Sequence, residues 1–189
     1  MKKETVLVAV VVLTVGLIIG YMVAQKGSAP GRASTPAQAP APMVSAEKRI
    51  DEIKEILAAD PANRNAWVAL GNQYFDNNQF IDAIDAYDKA LELQPNDPDV
   101  LVDQGVMFRR LGWFDKAIDN FTRASELNPR HVNALFNLGI IYRYDLQDFP
   151  KATEIWTKLL EMNPGSPAAD KLRQEIEWMK QHPAIPKNQ

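Results

Sequence analysis

"NRNAWVALGNQYFDNNQFIDAIDAYDKALELQPN", residues 63–96, decides the fold, because the chain goes on to repeat it. Within it Trp67, Leu70, Gly71, Tyr74, Ala83, Tyr87, Ala90 and Pro95 form a series. Thirty-four residues on, the series returns as Leu101, Gln104, Gly105, Phe108, Ala117, Phe121, Ala124 and Pro129. A third copy opens with Leu135, Leu138, Gly139 and Tyr142. One extra residue enters near "YDLQDFP" (144–150), and Ala152, Trp156, Leu159 and Pro164 complete the copy. A fixed period of this length predicts a stack of like units, each burying its apolar face on the next.

Each repeated residue has a physical reason. Trp67, Leu70 and Tyr74 fall at i, i+3 and i+7, one face of a helix. A helical glycine costs about 1 kcal/mol relative to alanine. Gly71, Gly105 and Gly139 at equal spacing therefore predict a neighbour packed on bare backbone. Ala83, Ala117 and Ala152 are the small partners on a second helix, and Tyr87, Phe121 and Trp156 are expected to fill the space between adjacent hairpins. Pro95, Pro129 and Pro164 end the second helices, since proline disfavours helical geometry at the residue before it. The insertion around Asp145 to Asp148 is expected to lengthen the third turn and alter the local helix crossing.

Over Asn63 to Pro164 the series resembles the tetratricopeptide repeat, W-x2-L-G-x2-Y, then A-x3-F, then P. Gln104, at a leucine position, and Leu159, at a small-residue position, depart from that pattern. The resemblance implies an all-α, right-handed superhelical stack of helix-turn-helix hairpins, with repeats at 63–96, 97–130 and 131–165. The apolar ends of such a stack need covers. Upstream, a capping helix is expected at 45–60, begun by Ser45 and carrying Ile50, Ile53, Ile56 and Leu57. Downstream, one is expected at 166–181, with Leu172, Ile176 and Met179 on one face, before a tail at 182–189.

Repeats of this family usually bind extended peptides or partner helices along the concave surface formed by the first helix of each pair. Carried over by position, that groove holds Asn65, Val68 and Asn72 in the first repeat. The second supplies Val102, Asp103, Val106 and Arg109, and the third Phe136, Asn137, Ile140 and Arg143. Val102, Val106, Phe136 and Ile140 make an apolar strip, Asn72 and Asn137 can pair with a peptide backbone, and Arg109 and Arg143 suit acidic groups. The family's carboxylate clamp, which grips chaperone C-termini, would need particular Lys, Asn and Arg residues where this chain has Val68, Asn72, Asp103, Asn133 and Asn137. Only Asn72 agrees, so a chaperone-tail receptor is not expected.

The rest of the chain looks toward a membrane. Residues 1–4 form a short tail. Thr5 to Gln25, "TVLVAVVVLTVGLIIGYMVAQ", carries no charge, and about 20 helical residues span a bilayer core. A signal-peptide core is shorter, about 7–15 residues, so an uncleaved anchor is expected. Gly16 and Gly20 leave a possible route to a homo-oligomer through close helix approach. Residues 26–44, rich in Pro and Ala, read as a tether. The basic residues weakly favour an inside N-terminus, placing the repeats in the periplasm or another exterior.

Charge and chemistry narrow the function. Of the net charge of −3, the stretch up to Arg32 holds +3, which leaves −6 for the body. Nucleic acid needs a Lys/Arg footprint and is not an expected partner. The absence of cysteine removes disulfide and thiol chemistry. His131 and His182 are isolated in sequence, and no phosphate loop or nucleophile elbow occurs. No cofactor, metal or catalytic site is expected. The reading is a non-catalytic interaction module on an inner-membrane anchor. Its layout is similar to that of envelope assembly factors, including repeat domains that hold apocytochromes during c-type cytochrome maturation. A structural subunit of a permanent envelope complex is the alternative. Trp113, in the turn of the second repeat, is either a second contact surface or folded back over a neighbouring turn near Phe149.

Overall fold

A computed structural model describes residues 45–182. The expected anchor at 5–25, the tether at 26–44, Gly16, Gly20 and residues 183–189 lie outside them. No helix among the described residues is long and apolar enough to cross a membrane.

The described residues form eight helices and no strand. They are α1 (Ala46–Ala59), α2 (Arg64–Asp76), α3 (Phe80–Leu93) and α4 (Pro98–Arg110), followed by α5 (Phe114–Leu127), α6 (Val132–Ile140), α7 (Phe149–Met162) and α8 (Ala169–Gln181). Each helix packs on the next, so α2–α3, α4–α5 and α6–α7 are hairpins stacked in chain order. Ser45 caps α1 by accepting from the Lys48 N–H at 3.3 Å. Ile50 and Leu57 are buried under α2, whereas Ile56 is half exposed. At the far end Leu172, Ile176 and Met179 of α8 cover Trp156 and Leu159.

The three glycines act inside each hairpin rather than between hairpins. A Cβ on Gly71 would lie 2.5 Å from the Tyr87 ring, and one on Gly105 2.6 Å from the Phe121 ring. One on Gly139 would overlap the Trp156 indole. The second-helix aromatic thus lies directly on the first helix of its own pair, and it also belongs to the cores that continue into the next element. Close approach of the two helices needs a residue with no side chain there.

All three hairpin turns are three residues long: 77–79, 111–113 and 146–148. Their middle residues Asn78, Gly112 and Gln147 have φ of 59°, 76° and 56°, left-handed backbone. The last residue of each turn donates its N–H back to a first-helix aromatic: Gln79 to Tyr74 O at 2.9 Å, Trp113 to Phe108 O at 2.9 Å and Asp148 to Tyr142 O at 2.7 Å. This closure ends the helix and fixes the turn length. The extra residue of the third repeat therefore does not lengthen the turn, as the sequence had suggested. It is absorbed in a π-helical turn at Ile141–Asp145, closed by the Leu146 N–H donating to Ile141 O at 2.9 Å.

Gln104 shows what its departure from leucine achieves. Its side chain is buried, donating from Nε2 to Asp88 Oδ1 at 2.6 Å and accepting from Asn120 Nδ2 at 2.8 Å. Asn120 is also buried. A polar chain thus joins α3, α4 and α5, and each buried amide in it has a partner.

Candidate partner-binding groove

The groove residues fall on the first helices α2, α4 and α6 and on the π turn, at spacings that share one face. Helix starts fix their register. Asn63 caps α2 through the Ala66 N–H at 3.1 Å, and Asp97 caps α4 through the N–H groups of Asp99 and Val100 at 3.0 and 3.2 Å. At the matching place His131 caps α6, its Nδ1 accepting from the Ala134 N–H at 3.2 Å. Its Nε2 meets Asp99 Oδ1 at 2.9 Å. A neutral ring protonated on Nε2 satisfies both bonds. The spacing Asn63, Asp97, His131 carried this signal, but histidine is an unusual cap and the sequence reading saw an isolated residue. Asp97 also pairs with Arg64 of the preceding repeat.

Val68, Val106, Phe136 and Ile140 are partly buried and offer apolar surface. Val102 is only 5% exposed and belongs to the core, so it adds little to the strip. Phe136 lies over Trp156, ring centroids 6.3 Å apart. Asn65 accepts from Arg64 Nη1 at 3.0 Å. Asn72 is exposed, and its Oδ1 accepts from Tyr87 Oη at 2.7 Å. Asn137 donates to the Asn133 carbonyl at 2.9 Å, which uses one of its amide protons within the helix.

Both arginines already hold carboxylates of the chain. Arg109 donates from Nε and Nη2 to Asp145 at 2.5 and 3.2 Å, a bidentate pair across the π turn. Arg143 donates to Glu175 of α8 at 3.1 Å, and its guanidinium lies 4.1 Å from the Trp178 ring centroid and 4.9 Å from that of Phe149. These partners lie 36 and 32 residues away in sequence, and nothing in the spacing disclosed them.

Asp103 projects from α4 near Asp99 and His131. Partial loss of its water shell and then the negative charge of Asp99 push its carboxyl up to about 6 from 3.8. Between about pH 4 and 6 the folded chain holds a proton that the unfolded chain has released. The contribution of Asp103 to stability therefore falls as pH rises through that window and is level above it. Asp103→Asn is expected to flatten this slope and raise the melting temperature near neutral pH. Thermal melts of both proteins from pH 4 to 7 read the effect.

Trp113 does not fold toward Phe149, whose ring instead meets Trp178 at 5.8 Å. It rests on Phe108 of its own hairpin, centroids 6.0 Å apart, under the Lys116 ammonium at 5.0 Å, and stays 43% exposed. Half-burial sets a modest effect: Trp113→Ala is expected to lower stability by about 1–2 kcal/mol, below the 3–5 of a core tryptophan. Urea unfolding measures it.

Stacked hairpins with glycine-on-aromatic packing and a mixed first-helix face define a tetratricopeptide-repeat protein, a class whose fold serves protein interaction. The family described as the cytochrome c-type biogenesis protein H TPR domain matches residues 52–169, and the chain belongs to it. The formate-dependent nitrite reductase complex bifunctional subunit NrfFG of Haemophilus influenzae is 36% identical over 55 residues, 29% of this chain. That match spans 14% of the relative's length. Among solved structures, MamA superposes with a TM-score of 0.66 at 26% identity, over 72% of this chain and 77% of that one. A tetratricopeptide repeat protein from Parabacteroides merdae also gives 0.66, at 24% identity, over 72% of this chain and 54% of that one. The first TPR of Spaghetti (RPAP3), bound to an HSP90 peptide, gives 0.56 at 24% identity, over 62% and 93%, and shows the shared fold.

Proposed function

We propose that the chain is a non-catalytic, membrane-anchored module whose first-helix groove holds an extended segment of a partner protein during assembly of c-type cytochromes. The observation that carries this is the partly buried strip of Val68, Val106, Phe136 and Ile140 beside the exposed amide of Asn72. Apolar side chains left partly open on a capped, rigid scaffold give a peptide anchoring points, and the amide can pair with its backbone. Arg109 and Arg143 shape the wall through their internal carboxylates rather than offering free charge. Membership of the cytochrome c-type biogenesis family supports this choice of partner class. The uncharged stretch at 5–25 supports an inner-membrane anchor, with the repeats on the periplasmic side.

The test uses the full chain in dodecylmaltoside and fluorescent peptides that tile an unfolded c-type apocytochrome, read by anisotropy. A subset of peptides should bind, and Val106→Gln with Ile140→Gln should weaken them about tenfold or more. Unchanged binding by the double variant would remove the groove from the function. One stoichiometric partner that co-purifies from membranes and never exchanges would favour the permanent-subunit alternative.

A further inference from the structure

The second-helix side of the stack carries a different surface. Between α1 and α3 lies an open groove of about 740 Å³. Its floor is Leu57, Leu70, Trp67 and Tyr74, the last two partly exposed. One wall is a stripe of carboxylates along α3: Asp82, Asp85, Asp88 and Glu92. These sit three to four residues apart, so they follow one helix face at roughly 5–6 Å intervals. The lining cations are two, Lys54 and Lys89, and Lys89 is already paired with Glu92 at 2.8 Å. Asp85 has no ion-pair partner within 4 Å among the described residues.

The same arrangement recurs one repeat on. The groove between α3 and α5, about 760 Å³, shares Asp88 and Glu92 and adds Asp115 and Asp119 over a floor of Leu101 and Phe108. In both grooves a lysine of the chain lies over a floor aromatic. Lys54 Nζ is 5.7 Å from the Tyr74 centroid, and Lys116 Nζ is 5.3 Å from that of Phe108. The floors therefore already hold ammonium groups, and the walls hold more carboxylate than the chain neutralises.

We propose that this face is a second docking surface, distinct from the first-helix groove, and that it takes a basic amphipathic helix of a partner protein. The helix lies along α3 in the groove between α1 and α3. Its apolar residues meet Trp67 and Tyr74, and its Lys or Arg side chains, one per turn, pair with Asp82, Asp85 and Asp88. The acidic stripe selects a helix, because cations three or four residues apart on a partner helix repeat at a similar interval. The aromatic floor selects cations over neutral groups. Charge complementarity of this kind sets specificity and association rate and makes binding salt-sensitive.

The probe is a synthetic amphipathic helix of Leu and Lys, with a Glu-for-Lys counterpart, titrated against the full chain in dodecylmaltoside. The Lys peptide should bind, weaken with added salt, and lose about tenfold in affinity to Asp85→Lys with Asp82→Lys. Lys54→Ala should tighten it by removing the competing ammonium. The double variant Val106→Gln with Ile140→Gln, on the other face, should leave it unchanged, which separates this surface from the proposed peptide groove. Circular dichroism confirms that each variant remains folded. Absence of binding, equal binding of the Glu peptide, or affinity indifferent to the Asp82 and Asp85 reversals would overturn the proposal.

Discussion

Trp156→Ala is expected to lower the stability of the repeat stack by about 3–5 kcal/mol. The indole is 2% exposed and lies where a Cβ on Gly139 would be. It also stacks on Phe136 and meets Tyr144, with ring centroids 6.3 and 6.4 Å away. Its Nε1–H donates to the Phe136 carbonyl at 3.3 Å. Truncation opens a cavity bordered by the bare backbone of Gly139, where there is no side chain to relax inward. It also removes the support under Phe136, so peptide binding at the proposed groove should weaken with stability. Urea unfolding of the full chain measures the first effect, and peptide anisotropy well below the transition measures the second.

Gly105→Ala should destabilise by about 1–3 kcal/mol. Helix propensity alone predicts the reverse, a gain of about 1 kcal/mol. The sign is set by Phe121, whose ring lies 2.6 Å from the added Cβ and is itself 0% exposed. A ring enclosed by the core has no room to retreat, so α4 must move away from α5. Gly165→Ala is a control in which the new methyl meets nothing within 4 Å. A melting temperature lowered by Gly105→Ala but not by Gly165→Ala is the expected result, and equal melts would show that Phe121 yields.

The repeat was legible because its signal is steric and recurs at a fixed interval. Glycine, alanine, aromatic and proline each return where two helices must touch or stop. Trp67, Leu70 and Tyr74 gave the first-helix face from spacing alone. Features that depend on one side chain meeting another across the stack were not legible. Gln104 read as an irregular residue until Asp88 and Asn120 stood beside it. Arg109 and Arg143 read as open cations, because Asp145 and Glu175 reach them only in three dimensions. Trp113 was correctly placed in its turn, but spacing within a repeat could not say which neighbour it would meet. The extra residue near Asp145 was visible, yet its site was not. The left-handed residue and back-donated N–H that hold every turn at three residues push any insertion into the helix.

That π turn also divides the molecule mechanically. The larger core cluster runs from Ala83 to Ile141 and a second from Leu135 to Met179; they share no buried residue and meet through the partly buried Tyr142 and Ile155. At Ile141–Asp145 the regular i to i+4 ladder is interrupted. Cooperative opening propagates through continuous ladders and shared cores, and it is weakest where both thin out. Amide exchange should therefore separate into two blocks with a boundary at residues 141–145. Helices α7 and α8 would then open and close as one unit while α2 to α6 stay shut.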